Sequence, residues 1–429
     1  MNQINRRDFI KFAGATSVLG LAGCAGMDDS GVKGKVVIIG GGFGGANCAR
    51  FLKKWAPGVE VTLVERDKVF LTCPFSNEYI GGQKPDLKHV AHTYDNVVKA
   101  GINVVHDEAT KIDAAKKTVS LAGGKTLSYD RLVVSPGIDF VYGKVKNDKE
   151  ANVEKMPHAW KPGPQSTLLR NQLVAMPDGG RLVIVVPAAP FRCPPGPFER
   201  ASLVGAYFKK AKPKSKIIIL DANEKFSKQG LFLDAWQRLY PGMIEWVPGS
   251  KAGVPEEADI KNMTIVTNFE KFKGDVINLI PYQSAGAFAI QNGLADKDGY
   301  CPVNKATMES TLVPGVHVLG DSTKMAPMPK SGFAAATHGK NAASAIIQAL
   351  GGSPHPDAIF ANTCYSMLND EFAISVADVY KIEEKDGKKD LTAVPGGGVS
   401  KAWDDNVRRA EFKHAEGWYK AITDNMFGA

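Results

Sequence analysis

Six cysteines, at positions 24, 48, 73, 193, 301 and 364, are the side chains of this 429-residue chain best suited to redox chemistry. No two stand closer than 24 positions apart. That spacing excludes C-x-x-C redox centres, C-x-x-C-H haem attachment, ribbon-type zinc sites and ferredoxin-type clusters. Any haem or iron that serves this protein therefore belongs to another chain, and a disulfide between cysteines distant in sequence stays open. A second chemical signal is glycine. Gly40, Gly42 and Gly45 fall on G-x-G-x-x-G directly after the apolar run Val36-Val37-Ile38-Ile39 and before a stretch of helical periodicity. The first glycine permits a tight turn, the second lets backbone approach a pyrophosphate, and the third packs helix on strand. The phosphates would sit at a helix N-terminus, where free N–H groups and the helix dipole favour anions. A second strand, Val59 to Val64, ends at Glu65, twenty residues beyond Gly45, where a carboxylate can accept both ribose hydroxyls.

Two later segments identify the dinucleotide as FAD. Thr311 to Asp321 (Thr-Leu-Val-Pro-Gly-Val-His-Val-Leu-Gly-Asp) resembles the second flavin fingerprint of flavoproteins with two dinucleotide folds, in which the aspartate, here Asp321, binds the ribitol. Tyr129 to Gly137, ending in Ser135-Pro136-Gly137, is similar to the short motif that closes the first flavin lobe. In the glutathione-reductase-like branch a second glycine fingerprint would bind NAD(P)H in mid-chain. Here the strand Arg181 to Val186 runs instead into Pro187-Ala188-Ala189-Pro190-Phe191-Arg192-Cys193-Pro194-Pro195. Prolines remove backbone donors and fix the course of the chain. No NAD(P)H substrate is expected.

Five further segments carry a more specific resemblance: Cys73-Pro-Phe-Ser-Asn-Glu78, Cys193-Pro-Pro-Gly-Pro-Phe-Glu-Arg200, Met328-Pro-Lys-Ser-Gly-Phe333, Asn362-Thr-Cys-Tyr-Ser366 and Gly417-Trp-Tyr-Lys420. With them the chain resembles, nearly end to end, the flavoprotein subunit of flavocytochrome c sulfide dehydrogenase, a relative of the sulfide:quinone reductases. The resemblance implies that Cys73 bonds covalently to the flavin 8-methyl carbon. It implies that Cys193 and Cys364 form a redox-active disulfide beside the flavin ring, with Glu199 as an acid/base nearby. It also implies that sulfide is the substrate and a c-type cytochrome subunit the electron acceptor. Ser331 and Gly332 open an apolar helix whose N-terminus would face the flavin. Cys48 and Cys301 are expected only to pack. The rivals are a sulfide:quinone reductase and a non-catalytic flavin-binding scaffold that docks a cytochrome.

These residues must be positioned by an α/β protein of two Rossmann-like lobes with a smaller C-terminal α+β domain. The expected organisation is a flavin lobe over 33–150, a second lobe without a nicotinamide motif over 151–284, a return to the flavin lobe over 285–350, and a C-terminal domain over 351–429 that carries Cys364 and the partner interface. A hairpin around Lys385–Lys388 and a terminal helix from about 401 are expected in that last domain, with Trp403, Val407, Trp418 and Ile422 on one helical face. Five acids offset five bases over 401–429, whereas a helix meant for anionic lipid should be basic. Residues 1–26 read as a twin-arginine signal, with Arg6-Arg7 before an apolar run, so a periplasmic protein is expected. Leu21-Ala22-Gly23-Cys24 resembles a lipobox, and the membrane enters only if Cys24 is lipidated. The net charge of +8 is spread without a basic cluster, which argues against nucleic acid. Composition is 44% hydrophobic and 23% charged, ordinary for a folded protein and incompatible with wholesale disorder.

Overall fold

The glycine-interrupted apolar run at the start of the chain builds the first of two parallel sheets. A computed structural model describes residues 29–429 apart from Asp386, so the segment read as a signal, Cys24 included, lies outside the described residues. Strand β1 (Gly34–Ile39) enters helix α1 (Phe43–Trp55), and β2 (Val59–Val64) returns beside β1 in parallel register, Gly34 opposite Val59. After a short helix α2 (Ser76–Ile80), strands β3 (Asn103–Val105) and β4 (Arg131–Val134) extend the sheet on its two sides. The residues Val36 to Ile39 and Leu132 to Val134 are all buried, as a parallel sheet covered on both faces demands.

Strand β5 (Ile138–Val141) leads to the second sheet: β6 (Arg181–Val186), helix α3 (Gly196–Ala211), β7 (Lys216–Asp221), helix α4 (Gln229–Leu239), β8 (Ile244–Pro248) and β9 (Val276–Leu279). Its order is β8-β7-β6-β9, all parallel. Strand β10 (Tyr282–Ala285) pairs antiparallel with β5, so the chain leaves and re-enters the first lobe by one two-stranded ribbon. Strand β11 (Val316–Val318) then joins the first sheet beside β4, completing the order β11-β4-β1-β2-β3. Helix α5 (Gly332–Ala349) follows and packs on α1.

The C-terminal part is an antiparallel sheet, β12 (Ile359–Met367), β13 (Ala373–Lys385) and β14 (Lys388–Ala393), backed by helix α6 (Asp405–Phe427). The expected hairpin is present, with Lys385 opposite Lys388. Helix α6 begins later than the periodicity suggests. Asp404 caps it, its carboxylate accepting the Val407 N–H at 3.0 Å. Trp403 therefore lies outside the helix and packs edge-on against Phe372, with ring centroids 5.5 Å apart. A carboxylate three residues before Val407 satisfies an orphan N–H that a tryptophan cannot. Among the described residues no helix is long and apolar enough to cross a membrane.

Candidate functional site

The glycine loop has the shape a dinucleotide needs. Gly40 has φ +93°, and a Cβ there would lie 2.3 Å from the Ser135 carbonyl oxygen. A Cβ on Gly45 would lie 1.9 Å from the Gly40 carbonyl, so helix α1 can only approach the turn this closely with glycine. Gly42 stands at the N-cap of α1 without a side-chain cap, which leaves the N-terminal amides of the helix free for phosphate oxygens. The Glu65 carboxylate folds back onto this loop and accepts from Gly41 N at 2.7 Å and Asp67 N at 3.0 Å.

Ser135, Pro136 and Gly137 follow β4 directly, and the Gly137 carbonyl accepts from Ser322 Oγ and Gly286 N. This ties the first flavin motif to the residue after Asp321. Asp321 has a buried carboxylate oxygen, Oδ1, with no protein partner, and burial raises its pKa. An orphaned acceptor at this place fits a sugar-alcohol hydroxyl. Ser331 caps α5, its Oγ accepting from Ala334 N at 3.0 Å while donating to Asn362 Oδ1 at 2.6 Å. A cavity of about 760 Å³ opens along Asp321, Ser331 and His338 and is walled on the other side by Phe191, Pro194 and Tyr300. The residues fit FAD, with Gly40 to Gly45 and Glu65 at the nucleotide end and Asp321 and Ser331 further along.

Three cysteines from three parts of the sequence gather at one place, next to the Pro194 and Lys330 wall of this cavity. Cys73 precedes α2, Cys193 precedes α3, and Cys364 lies in β12. All are half-buried thiols, and the Cys73 and Cys193 thiols are hydrogen-bonded to each other, with Cys364 close enough to act on Cys193 electrostatically. The hydrogen bond from Cys193 pulls Cys73 down to about 7, helped by the Arg192 and Arg200 charges and opposed by burial. The same hydrogen bond, with burial, pushes Cys193 up. Cys193 is also held in a left-handed backbone conformation, φ +56°, a placement that costs a non-glycine residue about 1–3 kcal/mol. Its amide donates to Lys330 O at 2.9 Å and its carbonyl accepts from Gly196 N at 2.8 Å, so both sides of the strained residue are anchored.

Glu199, in the first turn of α3, faces the same cluster. Its Oε2 accepts from Asn77 Nδ2 at 2.8 Å and its Oε1 from Met367 N at 3.0 Å. Burial raises its pKa against these two donors. Asn77 is oriented in turn by the buried Arg200, whose Nε donates to Asn77 Oδ1 at 3.0 Å while its two terminal nitrogens donate to Asn278 Oδ1 and to the His158 and Ala159 carbonyls. The C-terminal helix closes the cluster from outside. Tyr419 hydrogen-bonds with Thr72 Oγ1 at 2.7 Å and stacks on Phe75 with centroids 4.5 Å apart, and Trp418 lies against Phe333 and Tyr365. Thus all five segments singled out in the sequence converge on one place.

Cys48 and Cys301 stand apart from the cluster. Both are buried, and burial raises both thiols, Cys301 to about 12. Sequence reasoning passed over Asn77, Arg200 and Lys228. The first two stand inside quoted segments, so a search for polar residues within those segments would have found them. Lys228 sits in the plain loop before α4 and gives no sequence signal, yet it is buried with its Nζ donating to Ser366 Oγ at 2.8 Å and to the Cys364 carbonyl at 3.2 Å. Among the described residues no group of three or more His, Cys, Asp or Glu side chains could hold a metal ion.

Comparison with known proteins gives a consistent picture. Residues 34–162 match the pyridine nucleotide-disulphide oxidoreductase family, 166–281 the central region of the sulfide dehydrogenase (flavocytochrome c) flavoprotein chain, and 356–427 the flavin-binding region of flavocytochrome c sulphide dehydrogenase. A flavoprotein chain of that enzyme from Chlorobaculum thiosulfatiphilum is 58% identical over 43 residues, which are 10% of this chain and 90% of that one. The mitochondrial sulfide:quinone oxidoreductase of Mus musculus is 24% identical over 324 residues, 70% of this chain and 68% of its own. In three dimensions the sulfide:quinone oxidoreductase of Aquifex aeolicus superimposes with a TM-score of 0.71, at 15% identity and covering 92% of both chains. The fold is that of the FAD-dependent pyridine nucleotide-disulphide reductases.

Proposed function

This chain belongs to the flavoprotein family of flavocytochrome c sulfide dehydrogenase, kin to the sulfide:quinone reductases, and from that premise we propose that it oxidises sulfide to sulfur or polysulfide in the periplasm and delivers the electrons to a c-type cytochrome subunit. It is a sulfide-oxidising flavoprotein oxidoreductase. The observation that supports the finer reading is the gathering of Cys73, Cys193, Cys364 and Glu199 beside a cradle that fits FAD.

In the oxidised protein Cys193 and Cys364 are joined as a disulfide. Hydrosulfide attacks one of the two sulfurs, a new S–S bond forms, the old one breaks, and its electron pair leaves on the other cysteine as a thiolate. The product is a cysteine persulfide, in which the sulfide sulfur has been oxidised and the disulfide reduced. FAD, when bound, supplies an acceptor that takes electrons in pairs and releases them singly. Glu199 handles the proton. Its raised carboxyl keeps a proton further toward neutral pH than an ordinary glutamate, and the Asn77 and Met367 donors hold it in one orientation. Cys73 holds the flavin covalently. Its thiol, lowered to about 7, is substantially thiolate at neutral pH, the nucleophilic form that bond formation requires.

The proline-bounded loop of Cys193 offers no pyrophosphate cradle, so neither NADH nor NADPH is a substrate. The deciding experiment mixes the purified protein with sulfide and offers cytochrome c or a soluble quinone as acceptor. Sulfide-dependent reduction of cytochrome c, with a flavin spectrum unmoved by NADH or NADPH, is the expected result. Reduction of the quinone alone would place the acceptor in the membrane and overturn the cytochrome assignment. A flavin untouched by sulfide would leave a binding scaffold.

Glu199→Gln should lower the rate of flavin reduction by sulfide about 10²- to 10⁴-fold, the usual range for a positioned acid/base. The wild-type rate that depends on proton donation falls as pH rises through the raised Glu199 value, since the acid form is lost there. The variant should lack that limb, and a pH–rate profile of both proteins checks it. Identical profiles would remove Glu199 from the proton path.

A further inference from the structure

Strand β12 carries Cys364, and two charged side chains of the central lobe grip it within four residues. Glu199 Oε1 accepts from the Met367 amide at 3.0 Å. Lys228 Nζ donates to the Cys364 carbonyl at 3.2 Å and to Ser366 Oγ at 2.8 Å. Lys228 is 5% exposed, far more enclosed than lysine tolerates without partners. Its backbone is left-handed, φ +61°, at the N-cap of α4, so the chain adopts an unfavourable conformation to bring this side chain inward. Lysine is long and flexible, and a surface position would cost it nothing. A buried ammonium that ends on the carbonyl of a redox cysteine calls for a function.

We propose that Lys228 is a positioning residue of the redox site: it locks β12 against the central lobe and stabilises negative charge on the Cys364 sulfur, whether thiolate or terminal persulfide, when the Cys193–Cys364 disulfide opens. The inference rests on the disulfide reading given under the proposed function. Electrostatics agree in sign. Burial pushes the Cys364 thiol up, Lys228 pulls it down, and Glu199 and Cys73 push it up. The groups facing Cys364 are thus Lys228 from the loop before α4, Glu199 from α3, and the thiols Cys73 and Cys193, with Arg192 and Arg200 acting on Cys73 behind them. On the helices that also pack against this sheet, Glu411 of α6 is engaged with Ser375 and His338 of α5 lies edge-on to Phe360. Lys228 is the cation whose Nζ reaches the cysteine's own strand.

The test uses the flavin-loaded protein after reduction of its disulfide. Alkylation of Cys364 by iodoacetamide is followed by peptide mass spectrometry as a function of pH in wild type, Lys228→Met and Lys228→Arg. In Lys228→Met the midpoint should move up by roughly one pH unit, so that labelling at neutral pH slows about tenfold. Lys228→Arg should stay within about twofold of wild type, because a cation is retained. A folded Lys228→Met protein with an unchanged midpoint overturns the proposal. So does a rise shared equally by the arginine variant, since that would follow from lost packing alone. If the methionine variant does not fold, Ser366→Ala removes the hydroxyl that anchors the ammonium, and an unmoved midpoint there overturns it as well. Thiol labelling does not depend on sulfide turnover. A wild-type flavin that sulfide fails to reduce therefore refutes the enzymatic reading separately.

Discussion

Replacing either Cys193 or Cys364 by serine should abolish flavin reduction by sulfide, a loss on the order of 10³-fold or more, while the flavin stays attached. The size follows from the chemistry. Attack by hydrosulfide needs an electrophilic sulfur and a departing thiolate, and removing one partner removes both at once. The two residues form a unit, so the double variant should be no worse than either single one. Stopped-flow absorbance of the flavin band under excess sulfide reads the effect directly. The fold should survive, because serine is close to cysteine in size and both positions are only half-buried. Cys301→Ser provides the contrast. That thiol is fully buried and raised by burial, with its amide and carbonyl tied to Ser322 and Lys324. It should leave the rate unchanged. Normal reduction in Cys193→Ser or Cys364→Ser, with loss only in Cys301→Ser, would mean the wrong pair has been assigned.

What could be read from sequence, and what could not, divides along the range of the interactions. The dinucleotide fold was legible because its signals are local. Apolar strand, glycines, helix, second strand and terminal acid follow one another within thirty residues, and the tightest approach among the glycines, Gly45 against the Gly40 carbonyl, lies within the same turn. The missing second fingerprint was equally local, since prolines alter the backbone where they stand. The quoted motifs of the site, and the meeting of Cys193, Cys364 and Glu199, could be read only through a resemblance, and the contacts that bring them together could not be read at all. That Tyr419 reaches Thr72 and that Met367 N reaches Glu199 depend on how three sheets pack together. Lys228 is the extreme case. Its partners lie 136 and 138 positions away, and its loop has neither periodicity nor motif. Trp403 fails in the opposite direction. The helical spacing ran one turn too far, because a period does not show where a cap will stop it, and Asp404 stops it there.

The Cys73 thiol carries the other all-or-none expectation. After denaturation in acid, the yellow chromophore should remain with the wild-type polypeptide and should pass through a filter in Cys73→Ala, because a thioether survives unfolding and non-covalent contacts do not. The surroundings of Cys73 prepare it for bond formation in three ways. Thr72 and Phe75 on either side are fixed by Tyr419, and Ser76 Oγ donates to the Cys73 carbonyl at 2.7 Å, so the sulfur is held in place before any cofactor arrives. The hydrogen bond from Cys193, with the Arg192 and Arg200 charges, brings the thiol to about 7. At pH 7 such a group is about half thiolate, whereas an ordinary cysteine, with a pKa of ~8.5, is only a few per cent ionised. Cys73→Ala removes none of the glycine-loop contacts, Glu65 or Asp321, so the variant should still bind FAD and show a flavin spectrum while folded. Attachment should also slow below pH 7 as the thiolate is protonated, which incubation of flavin-free protein with FAD across a pH series would reveal. Flavin that leaves the wild-type chain on denaturation would refute the bond. Flavin that stays with the Cys73→Ala chain would move it to another residue, with Cys193, the thiol in contact with Cys73, the first to examine.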